Sequence, residues 1–128
     1  MKRLFLRELE EWENAGTREP IVVIGARQVG KTWLLKEFCE NTYEDYVYIN
    51  LEERRDCHSA FDGNLDPDTI LRTLEILLGR RIRRDRCAIF FDEIQTCERA
   101  VTSLKYFCEA KENYRIICAG SLLGVKIQ

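Results

Sequence analysis

Short apolar runs alternate along the chain with longer segments in which apolar residues recur every three or four positions. The two patterns differ because a buried strand needs only a short continuous run, whereas a helix shows one apolar face. The runs predict four strands, at 21–24, 46–51, 87–91 and 114–119. The first is β-branched and apolar on both faces, which is typical of a buried parallel strand.

Helical spacing predicts four helices. Their apolar stripes are Leu4, Phe5, Leu9 and Trp12; Leu34, Leu35, Phe38 and Cys39; Ile70, Leu74, Leu77 and Leu78; and Val101, Leu104 and Cys108. The first helix is predicted to end near Gly16. The third is predicted to begin at Asp66-Pro67, an N-cap followed by a first-turn proline, and to end near Gly79.

Between the second and third predicted strands, the stretch 52–66 is mostly polar and is predicted to be a loop with His58 exposed in it. Strands that alternate with helices along the whole chain predict an α/β fold. In this class a mainly parallel sheet is covered by helices on both faces.

The composition is that of one globular domain. The chain has 128 residues, of which 45% are apolar and 33% charged, and its formal net charge is -2. That balance gives no support for a nucleic-acid partner. No apolar run approaches the roughly 20 residues that cross a bilayer. Acidic residues interrupt the N-terminal apolar stretch, which argues against a signal peptide. We therefore expect a cytoplasmic protein with no membrane partner.

The cysteines do not form a recognisable ligand set. The six positions are Cys39, Cys57, Cys87, Cys97, Cys108 and Cys118. No pair has C-x-x-C spacing and the chain has one histidine, which argues against a zinc site. Several lie inside apolar runs, so we predict reduced thiols that pack as small buried hydrophobes.

Residues 25–32 read GARQVGKT and fit the phosphate-binding pattern G-x-x-x-x-G-K-[ST] in full, between a predicted strand and a predicted helix. The glycines permit a backbone that turns its N–H groups inward, and the helix beginning near Lys31 points its positive end at the same place. Lys31 is predicted to contact the β- and γ-phosphates, and Thr32 to give its hydroxyl to Mg²⁺. The predicted nucleotide-binding residues are Gly25, Ala26, Arg27, Gln28, Val29, Gly30, Lys31 and Thr32.

A phosphate-binding loop of this kind needs a carboxylate to hold Mg²⁺. Asp92 ends the apolar run 88–91, where a parallel strand presents it at the carboxyl edge of the sheet. Glu93 follows directly, and a carboxylate beside the metal ligand can polarise a water for attack on the γ-phosphate. We predict Thr32 and Asp92 as metal ligands and Glu93 and Lys31 as catalytic residues. The chain lacks the D-x-x-G and N-K-x-D patterns of GTPases, which favours ATP.

Two further polar positions follow predicted strands. Gln95 comes after the Asp92-Glu93 pair, and Gly120-Ser121 ends the fourth predicted strand. Both are predicted to face the γ-phosphate, with Ser121 as a catalytic polar sensor. The alternative interpretation is that each is a polar turn residue.

Residues 79–86 read GRRIRRDR and contain five arginines. Such a run could bind a nucleic-acid backbone or supply an arginine finger to a neighbouring subunit. The sequence favours a solvated helix end, because cations suit the C-terminal end of a helix and the net charge is close to zero.

The segments GARQVGKTWLLKEF, YINLEE, FFDEIQ, LKYF and AGSLLGV resemble, in this order, a family of bacterial and archaeal AAA+-like ATP-binding proteins. Its members join an N-terminal P-loop ATPase domain to a C-terminal domain of unknown function. The resemblance covers nearly the whole chain and implies a three-layer P-loop fold, with Glu93 as the catalytic glutamate and a sensor at Ser121. Because the family continues past the AGSLLGV segment, residues 1–128 are expected to be a truncated N-terminal ATPase domain.

These observations predict Mg²⁺-dependent binding and hydrolysis of ATP. One alternative is a nucleotide-dependent switch or interaction module with negligible turnover, because the later part of the family is missing. A less favoured alternative is a nucleic-acid-binding module built on the arginine run 80–86. The sequence leaves a protein partner or a homo-oligomer open.

Overall fold

The computed structural model describes residues 2–17, 19–25 and 30–121. The elements in chain order are α1 (Lys2–Ala15), β1 (Ile21–Gly25), α2 (Lys31–Thr42), β2 (Asp45–Asn50), α3 (Pro67–Leu78), β3 (Cys87–Asp92), α4 (Glu98–Glu109) and β4 (Ile116–Ser121). Two 3₁₀ helices, Arg55–Phe61 and Ile94–Thr96, follow β2 and β3. Within this part of the chain, no helix combines the length and the apolar character needed to cross a membrane.

The four strands form one parallel sheet in the order β1-β4-β3-β2. Because every strand points the same way, all four carboxyl ends meet at one edge of the sheet. The pairing places Gly25 beside Ser121 and Asn50 beside Asp92. The predicted α/β fold with a parallel sheet is therefore confirmed, and Gly25, Asp92 and Ser121 lie along one edge of that sheet.

Each face of the sheet carries its own apolar core. On one face α1 and α2 pack against β3 and β4, and the buried members are Leu9, Leu35, Phe38, Cys39, Phe90, Ile117 and Ala119. On the other face α3, α4 and the first 3₁₀ helix cover the sheet, with Phe61, Ile70, Leu74, Phe107, Ile89, Phe91 and Ile116 among the buried members. β3 and β4 are buried at every position, which explains their continuous apolar runs, whereas β1 leaves Val22 and Ile24 exposed although its run is equally apolar.

Local chemistry sets the boundaries of α3 as predicted. The Asp66 carboxylate accepts a hydrogen bond from the Thr69 N–H at 3.1 Å, and Pro67 occupies the first turn, where a missing N–H costs nothing. The helix ends at Leu78, directly before Gly79. The strand boundaries shift slightly from the predicted ones, by up to two residues in β4.

The prediction of a plain loop over 52–66 is wrong. Residues Arg55–Phe61 form a 3₁₀ helix that buries Cys57, Ala60 and Phe61, and the Phe61 ring meets Phe91 edge to face at 5.8 Å. A 3₁₀ helix repeats every three residues, so positions 57 and 60 share a face that the surrounding charges obscure in the sequence. His58 is half-buried rather than exposed, because its Nε2 lies 2.7 Å from the Leu51 carbonyl oxygen.

The arginine run is largely engaged with the chain's own carboxylates. Arg80 pairs with Asp45, and Arg84 lies 3.1 Å from both Asp68 and Glu75. These contacts tie the segment between α3 and β3 to the start of β2 and to α3 itself. The engaged arginines therefore have a structural role in the fold, beyond that of a solvated helix end.

All six cysteines are free thiols, and all except Cys108 are buried. Burial, followed by nearby negative charge, raises the pKa of Cys39 to about 12 and that of Cys87 to about 11. These thiols are therefore protonated at neutral pH and pack as apolar groups.

Candidate functional site

The carboxyl edge of the sheet faces the first turn of α2. The described backbone before α2 ends at Gly25 and resumes at Gly30, so Ala26, Arg27, Gln28 and Val29 lie outside the described residues. Gly30 has φ 78°, a left-handed conformation that glycine adopts at no steric cost, and it is the N-cap of α2. The N-cap is glycine, so it has no side chain of its own to cap the helix. The positive end of the α2 dipole lies at this point, where it favours an anion.

Lys31 begins α2 and is 8% exposed. A Cβ built on Gly25 would lie 3.9 Å from the Lys31 Cδ, so the lysine stem passes over the end of β1. A mostly buried lysine beside the N-terminal end of a helix gives this edge positive charge on both counts.

Asp92 is the carboxylate at the centre of the site. Its side chain ends β3, and the residue is 3% exposed. Its Oδ2 accepts hydrogen bonds from the Thr32 hydroxyl at 2.8 Å and from the Tyr48 hydroxyl at 2.6 Å. Its Oδ1 accepts one from the Glu93 N–H at 2.9 Å. The bond from Thr32 links the helix after the glycine loop to the strand that carries the acidic pair.

The Glu93 side chain is fixed at the same edge. Both of its carboxylate oxygens lie within reach of the Ser121 hydroxyl, at 2.8 and 3.2 Å, and Oε1 also accepts from Gln95 Nε2 at 2.9 Å. The Glu93 carbonyl accepts from the N–H and the hydroxyl of Thr96. Glu93 thus bridges the end of β4 and the 3₁₀ helix after β3.

The Glu93 backbone is unusual. Its φ is 51°, and it is the one non-glycine residue with positive φ among the residues that the structure describes. A left-handed conformation costs a side-chain-bearing residue about 1–3 kcal/mol, and such residues cluster at functional sites. The surrounding hydrogen bonds from Thr96 and Ser121 hold the residue in this conformation.

Gln95 packs tightly over Gly120. The amide orientation follows from the bond to Glu93, because the reverse orientation would place two oxygens against each other. Its Oε1 is then buried and has no hydrogen-bond partner among the described residues. A Cβ on Gly120 would lie 2.8 Å from this oxygen and 2.9 Å from the Ile24 Cδ1. Glycine at 120 is what lets Gln95 approach the sheet so closely.

The structure brings together most of the residues predicted from the sequence. Thr32 contacts Asp92, Ser121 contacts Glu93, and Lys31 lies at the start of the helix that carries Thr32. The Gln95 amide donates a hydrogen bond to the Glu93 carboxylate in the same cluster of side chains. Of the predicted glycine loop, the structure describes Gly25, Gly30, Lys31 and Thr32.

Sequence reasoning missed Tyr48, which lies inside the predicted strand 46–51 and belongs to no phosphate- or metal-binding motif. Burial, and then the hydrogen bond to Asp92, raises the pKa of the Tyr48 hydroxyl, so this group is a donor at neutral pH. One sequence signal was available: Tyr48 lies two residues before the end of its strand and therefore on the same face as the final residue, Asn50.

Comparison with known proteins identifies the family. The family model described as an AAA domain matches residues 17–127. The solved structure of PCH-2 from C. elegans is similar to this chain at 20% sequence identity, with a TM-score of 0.46. That match covers 80% of this chain and 30% of the PCH-2 chain, so this chain spans about a third of its length. No curated protein matches the sequence. Since the family match covers most of the sequence, this chain belongs to the AAA domain family.

Proposed function

We propose that this chain binds Mg²⁺–ATP at the carboxyl edge of its sheet and hydrolyses it. The observation that carries the proposal is the 2.8 Å hydrogen bond between Thr32 and Asp92, residues 60 positions apart. A hydroxyl at the start of a helix after a glycine loop, joined to a strand-end carboxylate, is the pair that holds Mg²⁺ in P-loop proteins. Membership in the AAA domain family supports a nucleotide-binding ATPase-type function.

The residues present fit a magnesium ion. Mg²⁺ prefers oxygen ligands, and it commonly uses one or two protein groups together with phosphate oxygens. Thr32 and Asp92 would hold it, since a half-buried hydroxyl and a buried carboxylate meet at one point. When bound, Mg²⁺ would neutralise negative charge on the β- and γ-phosphates.

The other groups at this edge have separate tasks in the proposed reaction. Lys31 and the N-terminal N–H groups of α2 bind the phosphates, together with the loop residues between Gly25 and Gly30. Glu93 orients the attacking water and accepts its proton. The Ser121 hydroxyl donates a hydrogen bond to Glu93, so the task of Ser121 in this proposal is to hold that carboxylate in place. The lack of a guanine motif in the sequence supports adenine as the base.

Calorimetric titration with Mg²⁺–ATP tests the binding step. Lys31→Ala should reduce the affinity at least tenfold, because it removes the buried cation beside the phosphates. Lys105→Ala is the matched control, since that lysine lies on α4 over the Tyr106 ring and should bind ATP as the wild type does. Equal affinities for all three proteins would contradict the assigned phosphate site.

Phosphate release tests the chemical step. Glu93→Gln keeps the size of the side chain and its hydrogen-bonding oxygen but removes the base, so it should keep ATP binding and lose turnover. Turnover at the wild-type rate would show that Glu93 has no such role.

A second function is favoured by the contacts of Glu93 itself. Its Oε1 accepts hydrogen bonds from both Ser121 and Gln95, so the lone pairs of that oxygen are engaged with the protein. A chain held in this state would bind ATP and turn it over negligibly, as a nucleotide-dependent switch. ATP binding by calorimetry without phosphate release above the buffer rate would favour the switch over the ATPase.

A further inference from the structure

We propose that Tyr48 is a positioning residue that aligns the Asp92 carboxylate for a divalent cation. The inference rests on the proposed Mg²⁺–ATP site, and it adds a group from β2, a strand to which that site otherwise assigns nothing. Three features of the structure carry it: the register of β2 against β3, the contacts that fix the Tyr48 ring, and the distribution of donors around Asp92.

The strand register brings the Tyr48 hydroxyl to Asp92. Tyr48 pairs with Phe90, and Asn50 pairs with Asp92, so Tyr48 lies diagonally across from the carboxylate on the same face of the sheet. The Tyr48 ring meets Phe90 edge to face, with 5.1 Å between centroids. From there the phenol extends along the strand direction, and its oxygen reaches Asp92 Oδ2 at 2.6 Å.

Other groups fix the ring and the direction of its proton. The Lys36 ammonium from α2 lies 3.9 Å from the ring centroid, close enough for a cation–π contact. The Asn50 amide lies 3.4 Å from the Tyr48 oxygen and is placed to donate to it. Since Asn50 approaches as a donor, the phenol proton is directed to Asp92.

The donors around Asp92 show what Tyr48 adds. A carboxylate offers about four lone-pair positions on its two oxygens. Thr32 and Tyr48 together fill Oδ2, and the Glu93 N–H fills one position on Oδ1. Donors from the described residues therefore leave one position open, and it lies on Oδ1. Without the phenol hydroxyl a second position opens on Oδ2, and one of the three bonds that fix the carboxylate is lost.

Removing the hydroxyl should therefore weaken the response to the metal and spare the phosphates. Outer partners of metal-binding side chains are typically worth about 10- to 100-fold in metal affinity. In Tyr48→Phe, we expect the ratio of ATP affinity in Mg²⁺ to ATP affinity in EDTA to fall at least tenfold. ATP affinity in EDTA should stay within about twofold, because Lys31 and the α2 terminus are untouched.

The experiment is calorimetric titration of the whole chain with ATP, once in excess Mg²⁺ and once in EDTA. Tyr46→Phe is the matched control. Tyr46 lies on the same strand and face, two residues further from the edge, and its hydroxyl also donates to a carboxylate, that of Glu40 at 3.1 Å. The control should keep the wild-type ratio, and urea unfolding without ligand should show both variants to be folded.

Each outcome decides between the claims. A wild-type ratio in Tyr48→Phe would overturn the positioning role and leave the proposed ATP site standing. Equal losses in Mg²⁺ and in EDTA would also overturn it, because they would indicate a general structural role. Absence of Mg²⁺-dependent ATP binding by the wild type would remove the proposed function and this inference together.

Discussion

Gly120→Ala tests whether the packing of Gln95 against the sheet is as tight as the structure shows. The added methyl carbon would lie 2.8 Å from Gln95 Oε1 and 2.9 Å from Ile24 Cδ1. Favourable contacts between heavy atoms begin near 3.5 Å, so both side chains must retreat by roughly half an ångström or more. Gln95 is at the same time held by Glu93 at 2.9 Å, and the retreat would stretch or break that bond.

The free-energy change has two opposing parts. Overpacking costs about 1–3 kcal/mol, and the lower part of that range applies here, because both obstructing atoms are the ends of flexible side chains. Alanine also restricts the unfolded chain, which stabilises the folded protein by about 0.4–1 kcal/mol where the backbone tolerates it. We therefore expect Gly120→Ala to lower the free energy of unfolding by about 1 kcal/mol.

The effect of Gly120→Ala on the free energy of unfolding should change sign when the obstructing atoms are removed. In a Gln95→Ala, Ile24→Val background neither atom is present, so the same substitution should stabilise the protein by about 0.4–1 kcal/mol. Urea unfolding of the four proteins measures both values. Gly63→Ala is the control, because nothing lies within 4 Å of its Cβ, and it should be neutral or slightly stabilising. An equal cost of Gly120→Ala in both backgrounds would refute the steric explanation.

Two further predictions concern the stability of the fold. The hydrogen bond from Arg72, followed by the charge of Arg84, lowers the pKa of Asp68 below its ordinary 3.8 against the opposing effect of burial. The Ile82 N–H, followed by Arg84, lowers the pKa of Glu75 below 4.5. Arg84→Gln should therefore cost about 1 kcal/mol at neutral pH after allowance for solvent screening, whereas Arg72→Gln, with a side chain 70% exposed, should cost under about 0.5. A carboxyl whose pKa is lowered by folding stabilises the protein above its ordinary pKa, and this stabilisation is lost as the pH falls through the pKa of the folded state. The difference in urea midpoint between the wild type and Arg84→Gln should therefore shrink from about pH 5 towards about pH 2. A difference that stays constant with pH would contradict the pairing. Asp66→Ala should cost about 0.5–2 kcal/mol in urea unfolding, because it removes the cap of α3, and an unchanged midpoint would show that the cap contributes nothing.

The sequence was sufficient for the fold class because the two central strands, β3 and β4, are buried at every position. Runs such as 87–91 are apolar at every position, and the alternation with helical stripes leaves few other arrangements. The strand order could not be read in the same way. β1 and β4 are neighbours although more than 90 residues separate Gly25 from Ser121, and no local pattern encodes that pairing.

The candidate site likewise has contacts that chain position predicts and contacts that depend on how the strands pair. The rule that ligands bind at the carboxyl edge places Thr32, Asp92 and Ser121 in one region from their positions in the chain alone. The contacts of Tyr48 and Gln95 depend on register and on side-chain direction across elements. The Tyr48 hydroxyl reaches Asp92 because Tyr48 is paired with Phe90, and a shift of one residue would move it to the other face.

Unfavourable features concentrate where the proposed chemistry lies. Among the described residues, Glu93 is the one non-glycine residue with positive φ. In the same part of the chain, two buried side-chain oxygen atoms have no hydrogen-bond partner, Gln95 Oε1 and Glu37 Oε2. A chain selected for stability alone would place glycine or asparagine at position 93 and an apolar residue at position 95. The observed residues instead bring a carboxylate and an amide to the carboxyl edge of the sheet. Local rules are broken together here, beside the N-terminal end of α2 and the buried Lys31, and this concentration supports the proposal that the edge is a binding site.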